Sequence, residues 1–332
     1  MRDFKKILVP TDFSTGAEMA YKTAGKMAQI YGGKIDLIHI VPSVKYWNES
    51  IKRIGLPLDI NEDAYPRIIE DTELQVENIL RNKIDSEVRG DYHVKIDRKP
   101  SDAITDFAQK NNYDLIVMGA KGEDETVMFR GSTTEKVIRH SKVPVFVVDK
   151  ELDANNIDNI VVPTDGSQMS FATFPVAVKL AAIFDARITL FHVLELYGSI
   201  SIHFPDQYNY DKIERDAVYN SLIKKLKTFI KESGLSNIKI APSERGFENI
   251  IEYYDGKNEQ RIKLQTKITK GFSAHYEIEK YAMESGDLVA IATHGRSGLA
   301  HLIMGSTAEK VAQYVNKPVL TVRPGKEMFE NN

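Results

Sequence analysis

The chain has 332 residues, enough for two domains of about 150 to 170 residues that can each bury a core. At 42% hydrophobic and 27% charged residues, no stretch nears the ~20 consecutive apolar residues of a membrane span, and a net charge of -3 lacks the basic excess that phosphate neutralisation needs, so neither a membrane nor nucleic acid is an expected partner. The absence of cysteine excludes disulfides, thiol catalysis and cysteine-ligated zinc, and Met1 to Ile7 enters a strand pattern without a signal-peptide core, so the cytoplasm is the expected location.

In chain order, short β-branched runs alternate with longer helical patterns. Strands are expected at 6–9, 34–40, 93–97, 114–119 and 143–148, the first and the last two continuously apolar and so covered on both faces. Between the first two strands, Ala17, Ala20, Tyr21, Ala24, Met27 and Ala28 recur at three- and four-residue spacings, with Ser14 to cap the helix and Gly32-Gly33 to stop it. A polar stretch at 149–158 marks a boundary, and the order then repeats at 159–162, 187–193, 264–268, 287–292 and 318–322. Pro175 falls inside the expected first helix of the second half and predicts a kink or a late start there. Extra residues at 237–261 carry the turn signal Tyr253-Tyr254-Asp255-Gly256-Lys257 and predict a hairpin insertion. Loops at 46–60, with Trp47, and at 197–210, with Tyr197, His203, Phe204, Tyr208 and Tyr210, either pack or cover a cleft.

The repeat is legible residue by residue. Ile7-Leu8-Val9-Pro10-Thr11-Asp12-Phe13-Ser14 returns as Ile160-Val161-Val162-Pro163-Thr164-Asp165-Gly166-Ser167, and Gly131-Ser132-Thr133-Thr134-Glu135-Lys136-Val137 returns as Gly305-Ser306-Thr307-Ala308-Glu309-Lys310-Val311. The expected fold class is therefore α/β: two tandem doubly wound domains, 1–149 and 158–325, each a five-stranded parallel sheet with helices on both faces, Rossmann-like or flavodoxin-like, in the order 3-2-1-4-5. In such sheets ligands bind beyond the carboxyl ends of the first and fourth strands. Those ends carry Asp12 and Asp165, then Gly119-Ala120-Lys121-Gly122 and Ala292-Thr293-His294-Gly295, then Gly131-Ser132 and Gly305-Ser306, each opening a helix whose amides suit phosphate.

Here the chain resembles the universal stress protein family in its tandem form, over nearly its whole length. Nucleotide-binding members of that family carry a glycine, two residues, a glycine, nine residues and then Gly-Ser or Gly-Thr, with a Pro-Thr-Asp segment far upstream. The first half has Gly119 and Gly122 but eight residues before Gly131; the second has nine residues before Gly305 but Ala292 in place of the first glycine. The resemblance implies an adenine nucleotide, ATP or AMP with Mg as a companion ion. Asp165 would contact base or ribose, the Val193 backbone the adenine, and Gly295, Gly305, Ser306 and Thr307 the phosphates near Ala292. The first-half equivalents are Asp12, Ile40, Gly119, Gly122, Gly131, Ser132 and Thr133. It also implies a pseudo-dimer through the last strands, further association as a homodimer, and protein partners that the sequence does not name.

Other readings stand beside these. Ser132 with Glu135, and Ser306 with Glu309, form capping boxes that satisfy a helix start without a ligand. Asp12 and Asp165 could serve only to cap the following turn, and His39 and His192 read as structural. His294, Arg296, Lys121 and Arg130 either neutralise phosphate or are solvated. The leading expectation is a stress regulator or sensor that binds nucleotide without obligatory turnover. The alternatives are a slow ATPase, although there is no P-loop and no nucleophile with a base partner, and a ligand-free interaction module.

Overall fold

The computed structural model describes residues 4–43, 65–120, 131–149, 156–196, 207–293 and 304–324, with backbone alone at 207–211. The loop expected at 46–60, most of that at 197–210, and Lys121, Gly122, Arg130, His294, Gly295 and Arg296 lie outside the described residues. The chain divides between Leu152 and Asp153 into two compact units.

The first unit runs β1 (Lys6–Pro10), α1 (Thr15–Tyr31), β2 (Lys34–Pro42), α2 (Tyr65–Lys83), β3 (Arg89–Asp97), α3 (Pro100–Lys110), β4 (Leu115–Gly119), α4 (Ser132–His140) and β5 (Val145–Val148). Its strands lie in the order β3-β2-β1-β4-β5 and all pair in parallel. Ile7, Leu8 and Val9 of β1 and Leu115, Ile116 and Val117 of β4 are wholly buried, as strands covered on both faces require. Ser14 caps α1 by accepting from Ala17 N, and Gly32 ends it in the left-handed region at φ 61°. The Asp114 carboxylate just before β4 accepts from Lys5 N (3.2 Å) and Lys6 N (2.9 Å), tying the start of β1 to its neighbour.

The second unit runs β6 (Asn159–Pro163), a 3-10 turn (Ser170–Thr173), α5 (Phe174–Phe184), β7 (Arg187–Glu195), α6 (Gln207–Glu232), β8 (Ile238–Pro242), β9 (Glu248–Tyr254), β10 (Glu259–Gly271), α7 (Ala274–Ser285), β11 (Leu288–Ala292), α8 (Ser306–Tyr314) and β12 (Val319–Val322). Five strands repeat the first sheet, in the order β12-β11-β6-β7-β10. Asp287 repeats the tie of Asp114, accepting from Asp158 N (3.1 Å) and Asn159 N (3.0 Å). Pro175 delays the helix as expected: the first turn is 3-10, and α5 begins with the proline in its opening positions, where no backbone donor is needed.

The five parallel strands expected in this unit are present, and among the described residues two antiparallel strands extend them. The 237–261 insertion folds as β8, β9 and the first half of β10, pairing antiparallel on the outside of the third parallel strand. The Asp-Gly signal forms the β9–β10 turn, where Asp255 accepts from Lys257 N and Asn258 N at 2.7 Å. What reads as a separate strand at 264–268 is the far half of a 13-residue strand whose near half belongs to the hairpin. Ile251 and Leu264 are fully buried, while Tyr219 of α6 donates to Asn249 Oδ1 (2.8 Å) and packs edge-on against Phe247. Among the described residues no helix is long and apolar enough to cross a membrane.

Candidate functional site

The loops after β1 and β6 are built alike. Thr11 N donates to Ile38 O, and Thr164 N to Phe191 O, both at 2.9 Å. The Asp12 carboxylate accepts from Ser14 N (3.1 Å), and Asp165 from Ser167 N (2.9 Å), so one oxygen of each aspartate braces its own turn while the residue still lines a cavity. His39 Nδ1 donates to Thr11 O and His192 Nδ1 to Thr164 O, both at 2.8 Å, which fastens the tip of the second strand to this loop. Both imidazoles also line the cavities, and burial holds that of His39 below its ordinary pKa. Tyr21 bonds to Thr11 Oγ1, and burial pushes its phenol up to about 12.

Ile40 and Val193 offer backbone rather than side chain. In a parallel strand, alternate residues turn their N–H and C=O to the same neighbour. Because Ile38 O serves Thr11 and Ser43 N reaches Asp97 O, Ile40 turns its peptide groups to the β1 side, beyond the end of that strand. Phe191 O serves Thr164 and Leu196 N reaches Gly271 O, which gives Val193 the same orientation past β6.

The helix starts correct one reading. The N-caps of α4 and α8 are Gly131 (φ -62°) and Gly305 (φ -63°), and neither helix has a side-chain cap. Ser132 and Ser306 are first helical residues, so the expected capping boxes do not form; Glu135 instead meets Arg139 at 2.9 Å. Thr133 and Thr307 line the cavities directly above these starts. Among the described residues, neither its φ nor crowding demands Gly305, since an added Cβ would meet only Thr293 O at 3.5 Å. Gly119 is the opposite case: a Cβ there would run into the Gly16 backbone of α1. In the second unit the 3-10 turn replaces that first helical turn beside β11, and there the sheet carries Ala292. The glycine-to-alanine difference thus accompanies the change in helix start.

Each unit has a cavity at these strand ends. That of the second unit is about 680 Å³ and is lined by Asp165, Val193, Ala292, Gly305 and Thr307; that of the first is about 320 Å³ and is lined by Asp12, Ile40, Gly119, Gly131 and Thr133. Small-molecule pockets usually span ~300–1,000 Å³. The two cavities differ at their far end. The first cavity is lined there by Pro42 and Pro100; the second has Glu195 and Ala274 at the matching places, with Glu195 accepting from Ala274 N (3.0 Å), and Lys270 meeting Glu214 at 2.7 Å. Lys270, Glu214 and Glu195 carry no motif in the sequence: they meet only because β10 and the long α6 converge on the cavity. Among the described residues no group of three His, Asp or Glu side chains could hold a metal ion.

A model of the universal stress protein family matches residues 3–149 and again 156–323. The chain belongs to the universal stress protein family. A full-length relative is the universal stress protein of Mycolicibacterium smegmatis, 22% identical over 322 residues, covering 96% of this chain and 97% of the relative. A universal stress protein from Methanocaldococcus jannaschii is 26% identical over 176 residues, 52% of this chain and 86% of its own. Among solved structures, a universal stress protein from Archaeoglobus fulgidus aligns over 98% of this chain and all of its own, at a TM-score of 0.56 and 16% identity, which supports the fold. The two family matches make this chain a tandem universal stress protein.

Proposed function

We propose that this universal stress protein binds an adenine nucleotide, ATP or AMP, in the cavity of its second unit and acts as a stress-response sensor through ligand-dependent protein contacts. The observation that carries this reading is the convergence, in one cavity of about 680 Å³, of the Val193 peptide edge, the Asp165 carboxylate and the start of α8, which lacks a side-chain cap. The peptide edge suits the hydrogen-bonding edge of a base, the carboxylate suits ribose hydroxyls, and the helix start suits phosphate. Gly305 strengthens the case, because among the described residues nothing but Thr293 O, at 3.5 Å, stands near a side chain there. The first unit has the same parts in about half the volume, and we assign it weaker binding through Asp12, Ile40, Gly131 and Thr133. Binding rather than turnover is the mechanism, since among the described cavity residues no nucleophile stands beside a base.

The test is mass spectrometry of nucleotide carried by the purified protein, then calorimetric titration of ATP and AMP into wild type, Gly305→Glu and Gly131→Glu. Loss of the stronger binding in Gly305→Glu alone supports the proposal. No binding by wild type overturns it in favour of an interaction module, and phosphate release from bound ATP would replace the sensor by a slow ATPase.

A further inference from the structure

The same edge of the two sheets is treated differently. In the second unit the antiparallel strand β9 pairs on the outer side of β10 along Glu259–Gln265, at the start of its parallel stretch. In the first unit the matching strand, β3, is the sheet edge: among the described residues it pairs only with β2. Because Ser43 N reaches Asp97 O, the peptide groups of Asp97, Lys95 and His93 serve β2, and those of Tyr92, Val94 and Ile96 point outward. An edge of this kind is a template for another strand.

We propose that β3 pairs antiparallel with β3 of a second copy of this chain, about a two-fold axis at His93. This register sets Tyr92 opposite Val94 on both sides of the axis, so that outward-facing peptide groups meet each other. It sets Asp91 opposite Lys95, twice by symmetry, in the non-hydrogen-bonded positions where cross-strand side chains lie closest. Asp91 and Lys95 are exposed, and both lie on the His93 face of the strand. Charge also selects this register over the next two toward Asp97. Moving the axis one residue along, to Val94, places Asp91 against Asp97, and moving it to Lys95 places Lys95 against itself; like charges directly opposite are unfavourable. The register shift between Ile35 and Leu37, which falls at Gly90 and Asp91 of β3, ends the regular edge and confines pairing to the stretch from Asp91 onward. Pairing of identical strands about a two-fold closes on itself as a dimer and leaves no open end for a fibre.

The experiment is sedimentation velocity of the full chain over a range of concentrations, for wild type and for Val94→Pro, Asp91→Lys, Lys95→Asp and the double swap D91K/K95D. Proline at 94 removes only an outward N–H, since the ladder to β2 uses residues 93, 95 and 97, and far-UV circular dichroism verifies the fold of each variant. Wild type should dimerise, Val94→Pro should be monomeric, each single swap should weaken the dimer by on the order of ten-fold, and the double swap should restore it. A wild type that is monomeric throughout overturns the proposal. A dimer that survives Val94→Pro, or single swaps that the double swap does not rescue, would place the contact on another surface and overturn it equally.

Discussion

Gly119→Ala tests whether the first glycine of the family pattern serves packing in this chain. An ideal Cβ at Gly119 would lie 2.5 Å from Gly16 C and 3.1 Å from Ala17 N. Both are backbone atoms in or next to the first turn of α1, so no side chain can swing aside. Either α1 lifts from β4 or β4 bows, although Gly119 is held in register with Val148 of β5. Forced overpacking of this kind costs about 1–3 kcal/mol. For units of this size each kcal/mol lowers the melting temperature by about 2–4 °C, so differential scanning calorimetry should show the transition of the first unit falling by roughly 2–12 °C. Ala292→Gly, at the matching place beside the 3-10 turn, should cost only the backbone freedom of a glycine, about 0.5–1 kcal/mol. Nucleotide binding to the second unit should survive Gly119→Ala. If Gly119→Ala melts with wild type, α1 and β4 are not in the close contact described and the packing account of Gly119 is wrong.

Two further outcomes follow from buried polar groups. Asn159 is fully buried, donating to Ser285 O at 2.7 Å and accepting from Thr189 Oγ1 at 2.8 Å, so Asn159→Ala orphans a carbonyl and a hydroxyl and should cost about 1–3 kcal/mol for each, read as a lower midpoint in urea denaturation of the second unit. His39 should give the first unit a pH dependence on the acid side of neutrality: burial lowers its folded pKa beneath the ordinary imidazole value of about 6.5, so as pH falls through that value the unfolded chain takes up the proton first and stability declines until the folded pKa is reached. His39→Gln should flatten that slope in melting temperature against pH between 7 and 5, and an unchanged slope would assign the dependence to other groups.

The sequence made the repeat, the parallel core and the helix caps readable because each is local: buried strands are continuous apolar runs, Ser14 and Gly32 bracket α1, and Asp255-Gly256 marks a turn. It misled where one residue pattern has two physical solutions. Ser-x-x-Glu after a glycine reads as a capping box, yet the glycine itself takes the cap position in both units, and Glu135 is drawn to Arg139 one turn further on. The 264–268 strand hid the rest of β10 because its near half alternates Arg261, Ile262, Lys263 and Leu264, the pattern of a sheet with one open face, whereas its far half is parallel and more enclosed. The cavity difference was out of reach for another reason. Pro42 against Glu195 and Pro100 against Ala274 look like unremarkable loop substitutions until the ends of two strands bring them together. Replacing proline at 100 by alanine at 274 supplies an amide that Glu195 can bind, and that exchange, with Lys270 and Glu214 beside it, turns an apolar end into a charged one. Two copies of one fold thus diverge in capacity through residues that no motif contains, and the larger cavity belongs to the unit whose sheet was widened by the insertion.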